Sequence, residues 1–122
     1  MVDAIVYRVV VSGAREWNLT ATMRRRFARL PPGTIIVHGN ERGADKTADF
    51  VAKSMGFQTE HIEADWDHLG NFAGPIRNRQ MLDTKPDLVL AFHPDLYGRS
   101  KGTRDCVQEA RRRGIPVEIF TE

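Results

Sequence analysis

Glycine, arginine and hydroxyl residues gather in a few short stretches of this chain, and each stretch has the chemistry to hold an anion. The first is Ser12-Gly13-Ala14-Arg15-Glu16-Trp17. Gly13 lets backbone come close to a ligand, a following helix start offers free N–H groups, and Arg15 can fork onto a phosphate or carboxylate. An ordinary strand-to-helix turn with surface charges fits the same residues equally well. The second is His38-Gly39-Asn40-Glu41-Arg42-Gly43-Ala44-Asp45. Here Gly39 and Gly43 flank a polar turn that opens a helix, which suits anion binding through backbone amides. It is neither the dinucleotide fingerprint nor a Walker loop, since no Lys-Ser/Thr ending follows. Asp45 has two readings: a capping or first-turn carboxylate, which is preferred, or a partner for a ribose hydroxyl.

The third stretch runs from Asp65-Trp66-Asp67-His68 to Gly74-Pro75-Ile76-Arg77-Asn78-Arg79-Gln80-Met81-Leu82. Trp66 in a polar loop must pack on something. A core plug is preferred over a base-stacking platform. Arg77 and Asn78 read as the opening of a short helix, a poor place for a cation unless an anion is near. The fourth stretch is Ser100-Lys101-Gly102-Thr103, where Thr103 can cap a helix, donate to phosphate, or both.

Other chemistries find less support. His38, His61, His68 and His93 contain no close-spaced pair, and the lone Cys106 cannot complete a zinc site. No metal and no cofactor are therefore expected. A Gly-x-Ser-x-Gly elbow is absent, so a hydrolase triad has no basis. Cys106 sits in an apolar helical pattern and reads as a buried, inert thiol, and a single cysteine implies a reducing compartment. The runs Arg24–Arg26 and Arg111–Arg113 read as solvated or dipole-complementing helix ends. A net charge of +2 on 122 residues argues against a nucleic-acid partner. Asp3 and Arg8 interrupt the apolar start, so no signal peptide is read there, and no run approaches a membrane span. A cytoplasmic location is the expectation.

The elements that must position these stretches follow from hydrophobic periodicity. Strands are expected at Tyr7–Val11, Thr34–Val37, Gln58–Ile62, Asp87–Phe92 and Val117–Phe120, the third near an edge and the fourth central. A helix from about Asn18 buries Leu19, Met23, Phe27 and Leu30 and ends at Pro31-Pro32-Gly33. A second starts near Ala44 or Asp45 and ends at Gly56, a third covers Ile76–Asp83, and a last covers Thr103–Arg113. Glu63–Pro75 is expected to be irregular, and His93–Gly102 a flexible loop. Strands alternating with helices make this an α/β chain. The expectation is a single domain over 1–122, a Rossmann-like three-layer α/β/α sandwich. Its mostly parallel five-stranded sheet takes the order 3-2-1-4-5. Ligands of such sheets bind beyond the strand C-termini, where the winding reverses, between the first and fourth strands. The glycine- and arginine-bearing stretches fall there.

The strings His38-Gly39…Gly43-Ala44-Asp45, Ala64-Asp65-Trp66, Ala73-Gly74-Pro75-Ile76-Arg77-Asn78-Arg79-Gln80-Met81-Leu82, Pro86-Asp87-Leu88-Val89-Leu90-Ala91-Phe92 and Gly102-Thr103 resemble the YspA-like family. That family belongs to the SLOG superfamily of Rossmann-like domains, with the LOG proteins and DprA. The resemblance covers nearly the whole chain and is most specific at Gly-Pro-x-Arg-Asn. It implies binding or sensing of a phosphate-containing nucleotide or nucleotide-derived ligand. The candidate site for it, from the four stretches, is Ser12, Gly13, Arg15, Gly39, Gly43, Asp45, Trp66, Arg77, Asn78, Gly102 and Thr103. LOG enzymes are nucleotide N-glycosidases with a catalytic glutamate three residues after a Gly-Thr pair; counting from Thr103, that position holds Cys106. The Pro-Gly-Gly preceding that pair in LOG enzymes is also missing here. An N-glycosidase would need Asp45, Asp65 or Arg77 to carry its chemistry. Single-stranded nucleic-acid binding, as in DprA, is a further alternative, and pairing into a homodimer is open.

Overall fold

The computed structural model describes residues 6–122. The first five residues of the Met1–Val11 stretch, in which no signal peptide is read, lie outside the described residues. Short β-branched and apolar runs form strands β1 (Arg8–Gly13), β2 (Ile35–His38), β4 (Leu88–Phe92) and β5 (Val117–Phe120), and the polar run Gln58–His61 forms β3. All neighbouring strands are parallel, in the order β3-β2-β1-β4-β5. This is the expected order. The polar β3 lies at one edge and is largely exposed.

Alternation along β1 explains the layers. Val9 and Val11 point to one face, Val10 to the other. The first face is covered by helices α1 (Thr20–Phe27) and α2 (Ala44–Ser54), through Met23, Phe27, Ala48, Val51 and Ala52. The second is covered by α4 (Ala73–Asp83) and α6 (Gly102–Arg112), through Met81, Leu82, Cys106 and Ala110. The central strand β4 is buried at every position, as its unbroken apolar run requires. Its last residue, Phe92, anchors an aromatic cluster with Trp17 (5.5 Å), Phe27 (6.4 Å) and Phe120 (5.0 Å). Fully burying such a ring contributes about 2 kcal/mol, and it lies directly beneath the strand ends that carry the candidate site.

Two expected loops hold helices instead. The stretch expected to be irregular contains α3 (Trp66–Leu69), a 3₁₀ turn at Gly70–Phe72 and the start of α4. Asp65 starts α3 by accepting the His68 N–H at 3.3 Å. Pro75 does not delay α4, because in a first turn its missing N–H is not needed. The loop after β4 contains α5 (Leu96–Arg99), started by Asp95, whose carboxylate accepts the Gly98 N–H at 3.2 Å.

Asp45 is a first-turn carboxylate of α2, one of the two structural placements expected for it, with Gly43 at the cap position. Thr103 lies inside the first turn of α6 and caps nothing; the Ser100 hydroxyl accepts the Arg104 N–H at 3.2 Å. Arg77 sits in the second turn of α4, so the expected conflict between a cation and a helix start does not arise. The arginine runs behave as ordinary helix ends. Arg26 makes a two-pronged bond to Glu118 of β5 (2.8 and 3.0 Å), while Arg112 and Arg113 pair with Glu109.

Candidate functional site

Beyond the C-terminal ends of β1 and β4 lies a cavity of about 620 Å³, a size that suits a small-molecule ligand. Three segments wall it. Ser12 to Glu16 form the end of β1 and the loop after it, residues 99–103 run into the first turn of α6, and Trp66 stands with the first turns of α4 on the third side.

The floor is built by close backbone approach. The Ala14 N–H donates to the Phe92 carbonyl (2.9 Å), and the Ala44 N–H donates to the Ala14 carbonyl (2.9 Å). A side chain on Gly13 would strike the Phe92 carbonyl and Ala44. Gly43 holds φ +81°, and any Cβ there would strike the backbone of Ala14 and Arg15. Glycine is required at both places, as the sequence implies, but Gly43 shapes the cavity without lining it.

The Arg77-Asn78 pair braces both sides. Arg77 is buried; its Nη1 donates to the Gly39 carbonyl at 3.0 Å and its Nε to Asn78 Oδ1 at 3.2 Å. Asn78 Nδ2 in turn donates to the Gly102 carbonyl (3.1 Å) and Asp105 Oδ2 (3.0 Å). A Cβ on Gly39 would run into the Arg77 guanidinium. Both side chains line the cavity, yet much of their hydrogen bonding is spent on holding the walls.

Asp45 is likewise committed to structure. Its Oδ2 accepts the N–H groups of Gly39 (3.0 Å) and Glu41 (3.2 Å) and so ties down the turn between the two glycines. Burial pushes its pKa up, against the pull of those donors and of nearby His38 and Arg77. Asp65 does not reach the cavity: its carboxylate caps α3 and contacts His68 Nδ1 at 2.9 Å.

Trp66 is no core plug. It is 45% exposed and lines the cavity. Its ring rests against Gly74, where an added Cβ would sit 3.2 Å from the indole, and Nε1 donates to Glu41 Oε1 at 3.3 Å. An apolar face is thus held open at the rim.

Of the residues the sequence singles out, Ser12, Gly13, Arg15 and Asp45 meet Trp66, Arg77, Asn78, Gly102 and Thr103 around one hollow. Gly39 and Gly43 stand behind it, and Asp65 stands apart. Sequence reasoning assigns no role to Glu16, Glu41, His93 or Asp105, all of which line it. Glu41 had a signal in its place between two glycines, and His93 in following the most apolar strand. The wall is mixed in charge, with Arg15, Arg77, Arg99 and Lys101 facing Glu16, Glu41, Asp45 and Asp105. Burial pushes the pKa of His93 below the usual imidazole value. Its Nδ1 accepts the Asp95 N–H at 2.9 Å, so the ring proton sits on Nε2. Cys106 is fully buried, and burial pushes its thiol up to about 12. No group of three or more potential metal ligands assembles among the described residues.

The chain has known relatives. The YAcAr family profile, described as the YspA, cpYpsA-related SLOG family, matches residues 7–68. The Gene 61 protein of Mycobacterium phage D29 is 42% identical over 122 residues, an alignment covering 93% of this chain and 95% of the phage protein. The X-ray structure of DNA processing protein A (DprA) from Streptococcus pneumoniae superposes with a TM-score of 0.75 at 19% identity. That match covers 93% of this chain but 50% of the DprA chain, so it extends to the fold alone, over half of that protein's length. No helix among the described residues is long and apolar enough to cross a membrane. The profile match and the extent of the phage relative place this chain in the YspA, cpYpsA-related SLOG family.

Proposed function

We propose that the cavity binds a nucleoside phosphate or a nucleotide-derived ligand, and that residues 1–122 act as a single binding or sensing domain. Family membership supports a nucleotide-related role in general terms. One observation carries the finer reading: an anion-holding wall and an aromatic wall border the same hollow. On the first side the α6 start brings Gly102 and Thr103 to the cavity, with Arg15 and Lys101 beside them. The first N–H groups of a helix have no partner within it, and together with the helix dipole they favour a phosphate. On the other side Trp66 offers its face to a base or sugar.

A panel of nucleoside monophosphates, dinucleotides and cyclic nucleotides, scored by the shift in Tm, tests this reading. At a ligand concentration of about 100 Kd the stabilisation is about 2.7 kcal/mol. Arg15→Glu removes that shift while leaving the unliganded Tm near the wild-type value, because Arg15 is exposed. No shift from any nucleotide overturns the proposal.

The N-glycosidase alternative loses support at the residues named for it. Asp65 lies outside the cavity and Asp45 is bound to the turn at residues 39–41. Release of free base from a nucleoside monophosphate is the result that would restore it.

A further inference from the structure

The cavity's aromatic wall ends in a carboxylate, and that pairing bears on which base sits there. Glu41 lines the cavity beside Trp66 and is joined to it, Nε1 to Oε1, at 3.3 Å. Arg77 Nη1 lies 3.7 Å from the same oxygen. The indole and the carboxylate are therefore fixed relative to one another. Gly74, which has no side chain to push the ring away, completes the arrangement. A base stacked on Trp66 would present its edge to an acceptor-only group.

An ionised carboxylate donates nothing, so it favours an edge rich in N–H donors and disfavours a lone pair or carbonyl placed against it. Among the common bases, guanine carries two adjacent donors on its pairing edge, a ring N–H and an exocyclic amine. Adenine places a ring-nitrogen lone pair beside its amine. Cytosine does the same, and uracil flanks its one N–H with two carbonyls. We infer that Glu41 is a specificity-determining residue and that the ligand's base is guanine, recognised by the Glu41 carboxylate while stacked on Trp66. This inference rests on the nucleotide-binding reading above.

The test compares GMP, IMP, AMP and UMP by titration calorimetry on the full chain. IMP keeps the ring N–H and lacks only the exocyclic amine. The expected order is GMP tightest, IMP intermediate, and AMP and UMP weaker than GMP by about tenfold or more, the discrimination typical of a two-donor base contact. Glu41→Gln brings GMP and AMP to within about twofold, since an amide both donates and accepts. The wild-type comparison needs no variant to fold. Comparable binding of all four, with Glu41→Gln weakening each equally, overturns the base assignment and leaves nucleotide binding standing. Binding of none overturns both.

Discussion

Arg77 and Asn78, neighbours on α4, reach in opposite directions and hold the two sides of one cavity. Arg77 Nη1 donates to the Gly39 carbonyl at 3.0 Å, and Asn78 Nδ2 donates to the Gly102 carbonyl at 3.1 Å. A cation and an amide are thus spent on backbone carbonyls of segments that lie far apart in sequence. Position and function are linked here: the α6 start can hold the phosphate of a ligand stacked on Trp66 only if it, Arg15 and Trp66 border the same hollow.

Removing the amide should be costly. Asn78→Ala removes a buried side chain that donates to the Gly102 carbonyl and to Asp105, and leaves Arg77 Nε without its acceptor in a buried setting. The expected loss is about 2 kcal/mol in urea denaturation. Asn78→Asp keeps the size but places a second carboxylate oxygen within about 3 Å of Asp105 Oδ2. It should lose more than the alanine variant at pH 7 and recover part of the difference at pH 4. Equal losses at both pH values would show that the charge at position 78 is not felt.

Two aspartates on α2 give pH dependences of opposite sign. Burial disfavours ionised Asp49, but hydrogen bonds from His38, Lys53 and Thr59 outweigh it and hold its pKa at about 2. A depressed pKa stabilises the fold above the unfolded value of 3.8 and is lost as pH falls from about 4 to 2. Asp49 is partly exposed, so solvent screening leaves about 1 kcal/mol of this. Asp49→Asn should flatten the acid limb of the stability curve in that window. Asp45 is the reverse: burial raises its pKa, so its contribution is fully present below 3.8 and falls as pH rises through the folded value. Asp45→Asn, which can still accept the Gly39 and Glu41 N–H groups, should gain on wild type as pH rises from 3.5 to 7. Urea midpoints from pH 2 to 7 check both, and a gap that stays constant with pH across a residue's own window contradicts the assignment for that residue.

The sheet was legible in the sequence because β1, β2 and β4 are short apolar runs with glycine or proline at or just after their ends, and 3-2-1-4-5 is a common order of doubly wound sheets with right-handed crossovers. Where two structures compete for similar residues, pattern reasoning failed. Asp65 and Asp95 each start a helix of one turn that carries too little apolar periodicity to notice. Pro75 looks like a boundary but sits inside a first turn. At the site, residue type located the hollow well, since glycine and arginine mark it directly. It located side-chain roles less well. Arg77 has the chemistry of a ligand contact but is taken up by a backbone carbonyl brought close only in the folded chain, whereas Asp45 keeps a structural role as a first-turn carboxylate. Glu41 shows the converse, an unremarked carboxylate made interesting by a tryptophan that lies far from it in sequence.

Strain and contact separate at two glycines. Gly33 and Gly43 share φ +81°, but a Cβ on Gly33 meets nothing within 4 Å, whereas one on Gly43 strikes the backbone of Ala14 and Arg15. Gly33→Ala should cost about 1 kcal/mol, from conformation alone. Gly43→Ala should cost at least about 2 kcal/mol more, because backbone cannot swing aside as a side chain can. Urea denaturation of the two variants measures the difference. Equal costs would mean that the Gly43 contact relaxes freely, and that the two loops are not locked together.

Cys106 provides a last test, of chemistry rather than packing. It occupies the position at which the LOG pattern has a glutamate, but its side chain points into the core formed by Val10, Met81, Val89 and Ala110. With the thiol pushed up to about 12 by burial and by Asp105 and Asp45 nearby, almost no thiolate exists at pH 8. A thiol reagent should leave the native protein unlabelled over hours at pH 8 and modify one equivalent rapidly in denaturant. Addition of a nucleotide should slow labelling further in mild denaturant, because labelling then requires the opening that the ligand opposes. Cys106→Glu extends the argument. It places an unpaired carboxylate in an apolar core, so the expected result is loss of about 3 kcal/mol or more and no gain of base release. A folded, active glutamate variant would mean that this position faces the ligand after all.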